Sequence, residues 1–437
     1  MYTQSAYGLV TEDGGMLRIG VKGVSNQMGD SWCIWDNFKL VWKGFNAEVI
    51  LPVLQTNIEK AKEELNAPIG KDVAQKLSDA IKAGEDAIAK GDGQGMFDAL
   101  SNIFAANSEV NASKTLFASL QVSFEDLANR LNEAICAVSV VQEAKALLAK
   151  VNDGIEQHTF ADSEVEGLQL EIAQMMSRLG IPEDIDNATD ESPIDVTTAV
   201  INANCLIQKG WEGSPAYDNN AQDAEKFNSD YNVYQRVYGL PAGVYTVSVN
   251  AFYRAGEAAA DFDNYKADAT KDNNSFLYAG TDKGDTVSVA IKRLASEAKE
   301  LGDPIESGYV AVGETFMVPN NMTAAGAAFI EGLYAGNTVT VRLGEGDVLT
   351  IGLKKTEKIT NDWTIWANWN LTYYGKNSQK DISENPMGIS NVEMAETGSV
   401  VFYNLNGMRI NKPVKGIVIM KQMLGDGTVK IKKVNLK

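Results

Sequence analysis

One histidine, three scattered cysteines and a shortage of basic residues set the first limits on this 437-residue chain. His158 has no second histidine and no cysteine nearby, so it cannot build a zinc site. Without a positioned nucleophile it cannot anchor a Ser-His-Asp triad either. Its setting, GIEQHTF between two helical stretches, reads as a solvated loop. Cys33, Cys136 and Cys205 show no metal-type spacing and no disulfide framework; at most one bridge is open to them, and each reads as a small buried apolar residue. No apolar run reaches the length of a transmembrane helix. The start, MYTQSAYGLVTEDGG, has neither the basic end nor the apolar stretch of a signal peptide. Lys and Arg number 39 against 58 Asp and Glu, a net charge of −19. So acidic a chain lacks the basic stripe that sequence-independent nucleic-acid binding needs, and it is ill suited to an anionic membrane surface. The expected partners therefore include no nucleic acid and no membrane insertion. Also missing are the G-x-S-x-G, HExxH, P-loop and dinucleotide patterns. Paired carboxylates such as Asp261 and Asp263 exist, but in so acidic a chain a pair points to a solvated face. No enzyme activity is expected.

What is present is strand pattern, most clearly in the segment 346–375, GDVLTIGLKKTEKITNDWTIWANWNLTYYG. Leu349, Ile351 and Leu353 alternate with polar or small residues, and Trp363, Ile365, Trp366, Trp369, Leu371 and Tyr373 follow a Thr360-Asn361-Asp362 loop. Period-two alternation rich in aromatic and β-branched residues predicts an antiparallel hairpin. The same phrase stands near the N-terminus, MLRIGVKGVSNQMGDSWCIWDNFKLVWKG. Leu17, Ile19-Gly20 and Lys22 match Leu349, Ile351-Gly352 and Lys354. Trp32, Ile34-Trp35, Asn37 and Leu40 match Trp363, Ile365-Trp366, Asn368 and Leu371. The chain thus carries two copies of one β-domain ending, and residues 1–45 read as the last strands of a truncated domain. Two strands alone cannot bury a hydrophobic face, so a chain lacking its true beginning is favoured over a cytoplasmic protein.

Between the copies the texture changes. Val53, Ile58, Ala61 and Leu65, then Val73, Leu77, Ile81 and Ile88, recur at helical spacing, interrupted at Asn66-Ala67-Pro68 and near Gly91 and Gly93. Met96 to Phe104 predicts a short third helix. Leu116–Leu131, Ile135–Val151 and Val165–Leu179 predict more, the last stopped by Gly180 and Pro182. Residues 46–182 read as a helical bundle of five or six helices. The acidic stretch Ile181–Pro193 reads as an inter-domain linker. Beyond it, residues 193–376 read as an antiparallel β-sandwich of many short strands, with Tyr245, Val247, Val249, Ala251 and Tyr253 sharing one face and a polar insertion over Asp261–Gly284. Residues 390–437 read as a small all-β module. The predicted class is multi-domain α and β.

The runs DVTTAVINANCLIQKGWEG, YNVYQRVYGLPAGVYTVSVNAFYRAG, VPNNMTAAGAAFIEGLYAGNTVTV and LTIGLKK…DWTIWANWNLTYYG resemble a domain frequent in secreted and surface proteins of the Bacteroidetes. Its architecture is similar to galactose-binding-like jelly rolls and carbohydrate-binding modules. The resemblance covers Pro193–Gly375 and implies a jelly roll, a glycan or glycoprotein partner, and a location outside the cell, secreted or on its surface. The C-terminal strands, with SVVFYNLNGMRI and KGIVIM, resemble the sorting modules of type IX secretion cargo, which implies contact with that secretion machinery. They depart from that pattern in a longer turn at Lys421–Thr428.

Sugar recognition stacks flat ring faces on Trp or Tyr while amides, carboxylates and Arg reach the hydroxyls. The candidates are Trp211, Tyr217, Tyr253, Arg254, Asn320, Asn321, Trp363 and Trp366. Strand aromatics more often pack in a core. Alternation puts Trp363 and Trp366 on opposite faces, one of them buried, and leaves Trp211, in a glycine-rich turn, as the best exposed candidate. No cofactor is expected beyond a structural calcium ion, for which Asp261, Asp263 and Asp272 offer oxygens without EF-hand spacing. A structural or adhesive spacer, or the accessory part of a larger secreted enzyme, is the competing reading of the same domains.

Overall fold

The computed structural model describes residues 4, 6, 10, 16–22, 33–42, 44–284 and 286–384, and the backbone of four strands between 400 and 436. Trp32 and the part of the 421–428 turn beyond Met423 lie outside the described residues. The chain divides into two compact units, Met1–Phe124 with Ala149–Leu168, and Glu125–Leu148 with Gln169–Lys437. It combines helices with antiparallel sheets, and among the described residues no helix is long and apolar enough to cross a membrane.

Five helices follow residue 46: α1 Ala47–Glu64, α2 Lys71–Lys90, α3 Gly93–Leu131, α4 Val138–Glu156 and α5 Val165–Leu179. Asn46 caps α1 by accepting from the Glu48 amide at 2.9 Å. Gly91 ends α2 in the left-handed conformation, φ +65°, that a side chain would resist. Leu54, Ile58, Leu77, Ile81, Leu100 and Ile103 meet in one core. The expected short third helix is instead the first third of α3, which runs for 39 residues. Nothing between Gly95 and Gly154 is glycine or proline, so no stop signal falls there. His158 is half-buried rather than solvated: its two ring nitrogens stand 2.9 Å from the carbonyl oxygens of Leu65 and Ile69, in the turn between α1 and α2. Of the cysteines, only Cys205 is buried; Cys33 is exposed and Cys136 intermediate.

The acidic stretch 181–193 is not a free linker. Ile185 and Ala188 enter a hydrophobic core, and Asp190 accepts from Ser378 and from the Gln379 amide, bonds that hold its carboxyl below the usual range. The strands that follow are β1 Ile194–Asp195, β2 Ala216–Asp218, β3 Asp223–Phe227, β4 Tyr231–Val237 and β5 Gly243–Arg254. Next come α6 Ala258–Ala267, β6 Ser275–Thr281, β7 Thr286–Ala290, β8 Lys299–Glu300, β9 Tyr309–Val312 and β10 Phe316–Pro319. Helix α7 Met322–Ile330 precedes β11 Asn337–Leu343, β12 Leu349–Lys355 and β13 Trp363–Tyr373. The stretch expected to be a polar insertion therefore begins inside α6.

One sheet runs β11-β5-β13-β3-β2, with β1 added to the end of β13; the other runs β4-β12-β6-β7. They enclose a shared core containing Tyr245, Val247, Val249, Ala251 and Tyr253, the face read from the sequence, together with Leu277, Leu349, Ile351 and Leu353. The outer face of the larger sheet is covered as well. There Phe252, Trp363 and Ile365 pack on Phe262 of α6, on Ala325 and Phe329 of α7, and on Val312 and Val318 of the small β8-β10-β9 sheet. The C-terminal strands β14 Val400–Tyr403, β15 Arg409–Ile410, β16 Gly416–Met423 and β17 Val429–Leu436 form a sheet in the order β15-β14-β16-β17.

The expected hairpin does not exist. Strand β12 pairs with β4 and β6, and β13 with β5 and β3, so the two lie at the centres of different sheets. The Thr356–Asp362 connection is a crossover between layers. Within β13 the register slips between Ala367 and Asn370, and Asn368 takes φ +52°. This bulge shifts the alternation by one, so that Trp366, Trp369, Leu371 and Tyr373 all face the shared core while Trp363 and Ile365 face outward. Gly352 is fixed by close approach, since a Cβ there would press on the Val233 carbonyl and on the Tyr234 and Tyr278 side chains. Gly352→Ala is expected to destabilise this unit by about 1–3 kcal/mol in urea unfolding, because the backbone oxygen it meets cannot swing away.

Candidate functional site

The candidate site lies at the end of the larger sheet where β5 stops and β13 begins. Register places Arg254 directly opposite Trp363. The Arg254 side chain is buried and reaches between layers. Its Nη1 donates to Asn320 Oδ1 at 2.6 Å, its Nη2 donates to the Asn361 carbonyl at 3.2 Å, and its guanidinium lies 5.2 Å from the Trp363 ring centroid. Trp363 in turn donates from its indole Nε1 to Glu225 Oε2 at 2.6 Å, and Asn361 Nδ2 donates to Glu257 Oε1 at 2.6 Å. Burial pushes the Glu225 carboxyl up, opposed by the indole bond and the Arg254 charge. Burial draws Arg254 down, opposed by Glu257, Asp261, Asp362 and Glu225. The result is a buried cation that orients a rim of two amides and two carboxylates, with Asn320 and Glu257 exposed and Asn361 and Glu225 half-buried.

Three of the eight sequence candidates, Arg254, Asn320 and Trp363, therefore come into one contacting group. Asn321 sits beside it with a different task, accepting from the Ala324 amide at 2.8 Å to cap α7. The others are elsewhere. Trp211, expected to be exposed, is buried and stacked on Trp369 with ring centroids 4.4 Å apart. The glycine turn that suggested exposure instead lets the chain fold back so that the indole closes the core. Tyr253 and Trp366 are fully buried in the same core, and Tyr217 packs against it half-buried. Both Trp363 and Trp366 are buried, not one of the two, because the sheet is covered on both faces. Glu225 and Glu257 were not legible as site residues, since a carboxylate carries little signal in so acidic a chain, and Asn361 read as a turn residue of the Thr360-Asn361-Asp362 loop.

The calcium trio does not converge. Asp261 is fully buried, ion-paired with Arg293 and accepting from the Ala255 amide at 2.7 Å, whereas Asp263 and Asp272 are exposed. A buried guanidinium already neutralises the one carboxylate that a loop cation would need. Among the described residues no group of three or more His, Cys, Asp or Glu side chains is placed to hold a metal.

Behind the rim lies a second buried ion pair, Lys355 with Asp362, both side chains fully buried. The Asp362 carboxylate also accepts from the Ile359 amide at 2.7 Å, and the Lys355 ammonium lies 5.8 Å from the ring centroids of Tyr231 and Tyr253. Tyr231, Ser275 and Thr364 continue the network through their hydroxyls at 2.7 and 3.2 Å. These contacts hold the 356–362 crossover, and with it Asn361, at the site. What the rim offers is a set of amide and carboxylate hydrogen-bonding groups. Compared with known proteins, the chain matches no family model, and no curated protein matches it in sequence.

Proposed function

We propose that this is a non-catalytic, secreted or cell-surface protein of Bacteroidetes type, whose two-sheet unit is a jelly roll that binds carbohydrate or glycoprotein at the Arg254 rim. The observation that carries this reading is the fixed group Arg254–Asn320–Asn361–Glu257, in which Asn320 and Glu257 are exposed. Pre-oriented side chains lose little freedom on binding, and sugars are recognised by such paired acceptors and donors. Recognition here is polar, without the aromatic platform first expected. On the same reading the helices of residues 46–182 form a bundle that spaces the domains, and the C-terminal sheet is the sorting module through which the export machinery recognises the chain.

A glycan-array screen of the full chain tests the proposal. Selective binding is expected, weakened by at least about tenfold in Glu257→Ala and in Asn320→Ala, the loss of one or two charge-assisted or amide bonds. The burial of Trp211, Tyr253 and Trp366 favours a second reading, a structural or adhesive spacer. A well-folded chain that binds no glycan, or whose binding ignores both substitutions, selects it over the first.

A further inference from the structure

The described part of the N-terminal copy of the β12–β13 phrase keeps two backbone landmarks of that phrase. Residues 16–22 and 33–42 form no ladder with any described strand, yet Asn37 takes φ +53°, matching φ +52° at Asn368, the bulge residue at the same place in the repeat. Gly44 is left-handed, as is its counterpart Gly375. By the register of the repeat, Trp35, Phe38, Leu40 and Trp42 are the counterparts of Trp366, Trp369, Leu371 and Tyr373, which fill a core. Their exposures are opposite: Trp42 is 79% and Leu40 73% accessible, against 3% for Tyr373 and 0% for Leu371. In the other half of the phrase Ile19 is exposed where Ile351 is buried. A Cβ at Gly20 would meet nothing, where one at Gly352 would press on the neighbouring strand. Large apolar side chains exposed together in one short segment, Trp35, Phe38, Leu40 and Trp42, mark an interaction surface.

We infer that residues 16–22 and 33–42 supply the two strands that complete a second β-sandwich, one open at the positions that β12 and β13 fill here. The occupant follows from what covers the counterparts: strands of the β4 and β6 kind on either side of residues 17–22, and strands of the β5 and β3 kind on either side of residues 33–42. Both donated strands are central ones, so each acquires backbone bonds on two edges as well as a buried face, the same physics as strand addition to an exposed sheet edge. This inference is independent of the glycan reading.

The probe is the two-sheet unit without its last two strands, residues 193–346, refolded by dilution from urea in the presence of the full chain. The expected result is a complex with one copy of each on size-exclusion chromatography, with amides of residues 33–42 gaining protection from hydrogen exchange on mixing. The full-chain double variant Ile34→Asp, Leu40→Asp should lose the complex, and Gly20→Ala should weaken it while leaving the full chain's own unfolding unchanged. Absence of a complex while a peptide of residues 347–375 does bind the 193–346 piece, a complex indifferent to the aspartates, or full protection of residues 33–42 in the chain alone would each overturn the inference.

Discussion

Asp362→Asn is expected to cost the two-sheet unit about 3–5 kcal/mol in urea unfolding, the loss that follows when one partner of a buried ion pair is removed. Lys355 and Asp362 have no exposed surface, and burial already draws the Lys355 ammonium below its ordinary range while the Asp362 charge opposes it. With the carboxylate gone, the ammonium must either stay charged without a partner or release its proton. Both alternatives disfavour the fold while the unfolded lysine remains charged, so the deficit should shrink as pH rises towards about 10.4, the unfolded lysine pKa. The double variant Lys355→Met, Asp362→Leu should recover most of the loss, because a well-packed apolar pair avoids the desolvation of two ions. A double variant as unstable as Asp362→Asn would show instead that the bond to the Ile359 amide, not the charge pair, holds the crossover.

The opposite sign is expected at Asp223. Its side chain is fully buried, neither carboxyl oxygen has a hydrogen-bond partner, and burial, with Asp218 and Glu225 adding to it, pushes the carboxyl up to about 8. The folded chain therefore holds a proton that the unfolded chain releases near pH 3.9. Between those values the native state binds more protons, so stability falls as pH rises from about 4 to about 8. Below the lower value Asp223 imposes no penalty; at pH 7 the penalty is on the order of 4 kcal/mol. Asp223→Asn keeps the shape and cannot ionise. Thermal unfolding should show the variant equal to the wild-type chain at pH 4 and several degrees more stable at pH 8. Parallel pH profiles for the two proteins would refute the account.

Local texture was readable in the sequence, and long-range pairing was not. The alternation of Tyr245 to Tyr253 fixed a core face because one side of β5 is buried among the residues that alternate. The β12–β13 phrase announced two strands but not their separation, since alternation is the same for strands that pair with each other and strands that part at a crossover. The missing cue was the seven-residue Thr356–Asp362 loop, long for a hairpin. Asn368 hid the bulge, an asparagine being equally at home in a turn or on a surface. Helix α6, AAADFDNYKA, is short and half polar, so its periodicity was too weak to register. At the candidate site, Arg254, Asn320 and Trp363 stood out by residue type. Their binding into one group depends on partners 66 and 109 positions away, contacts that no local pattern encodes. Asp261 pointed to a cation in sequence, and it meets one, but the cation is Arg293.

Among the described residues strand β1 pairs only with the end of β13, Ile194 opposite Tyr373 and Asp195 opposite Thr372, and Val196 donates to the Leu371 carbonyl at 2.8 Å. The two-sheet unit is therefore entered and left at one spot, secured there by a short ladder and by the Asp190 bonds to Ser378 and Gln379. Beyond that spot the outgoing chain stays stitched to two edge strands, the Ser383 amide donating to the Thr340 carbonyl of β11 at 3.0 Å and the Ser288 amide of β7 donating to the Glu384 carbonyl at 3.0 Å. Tension drawn from the C-terminal side would peel these bonds before it loaded the ladder at β1, like a seam opened from one end.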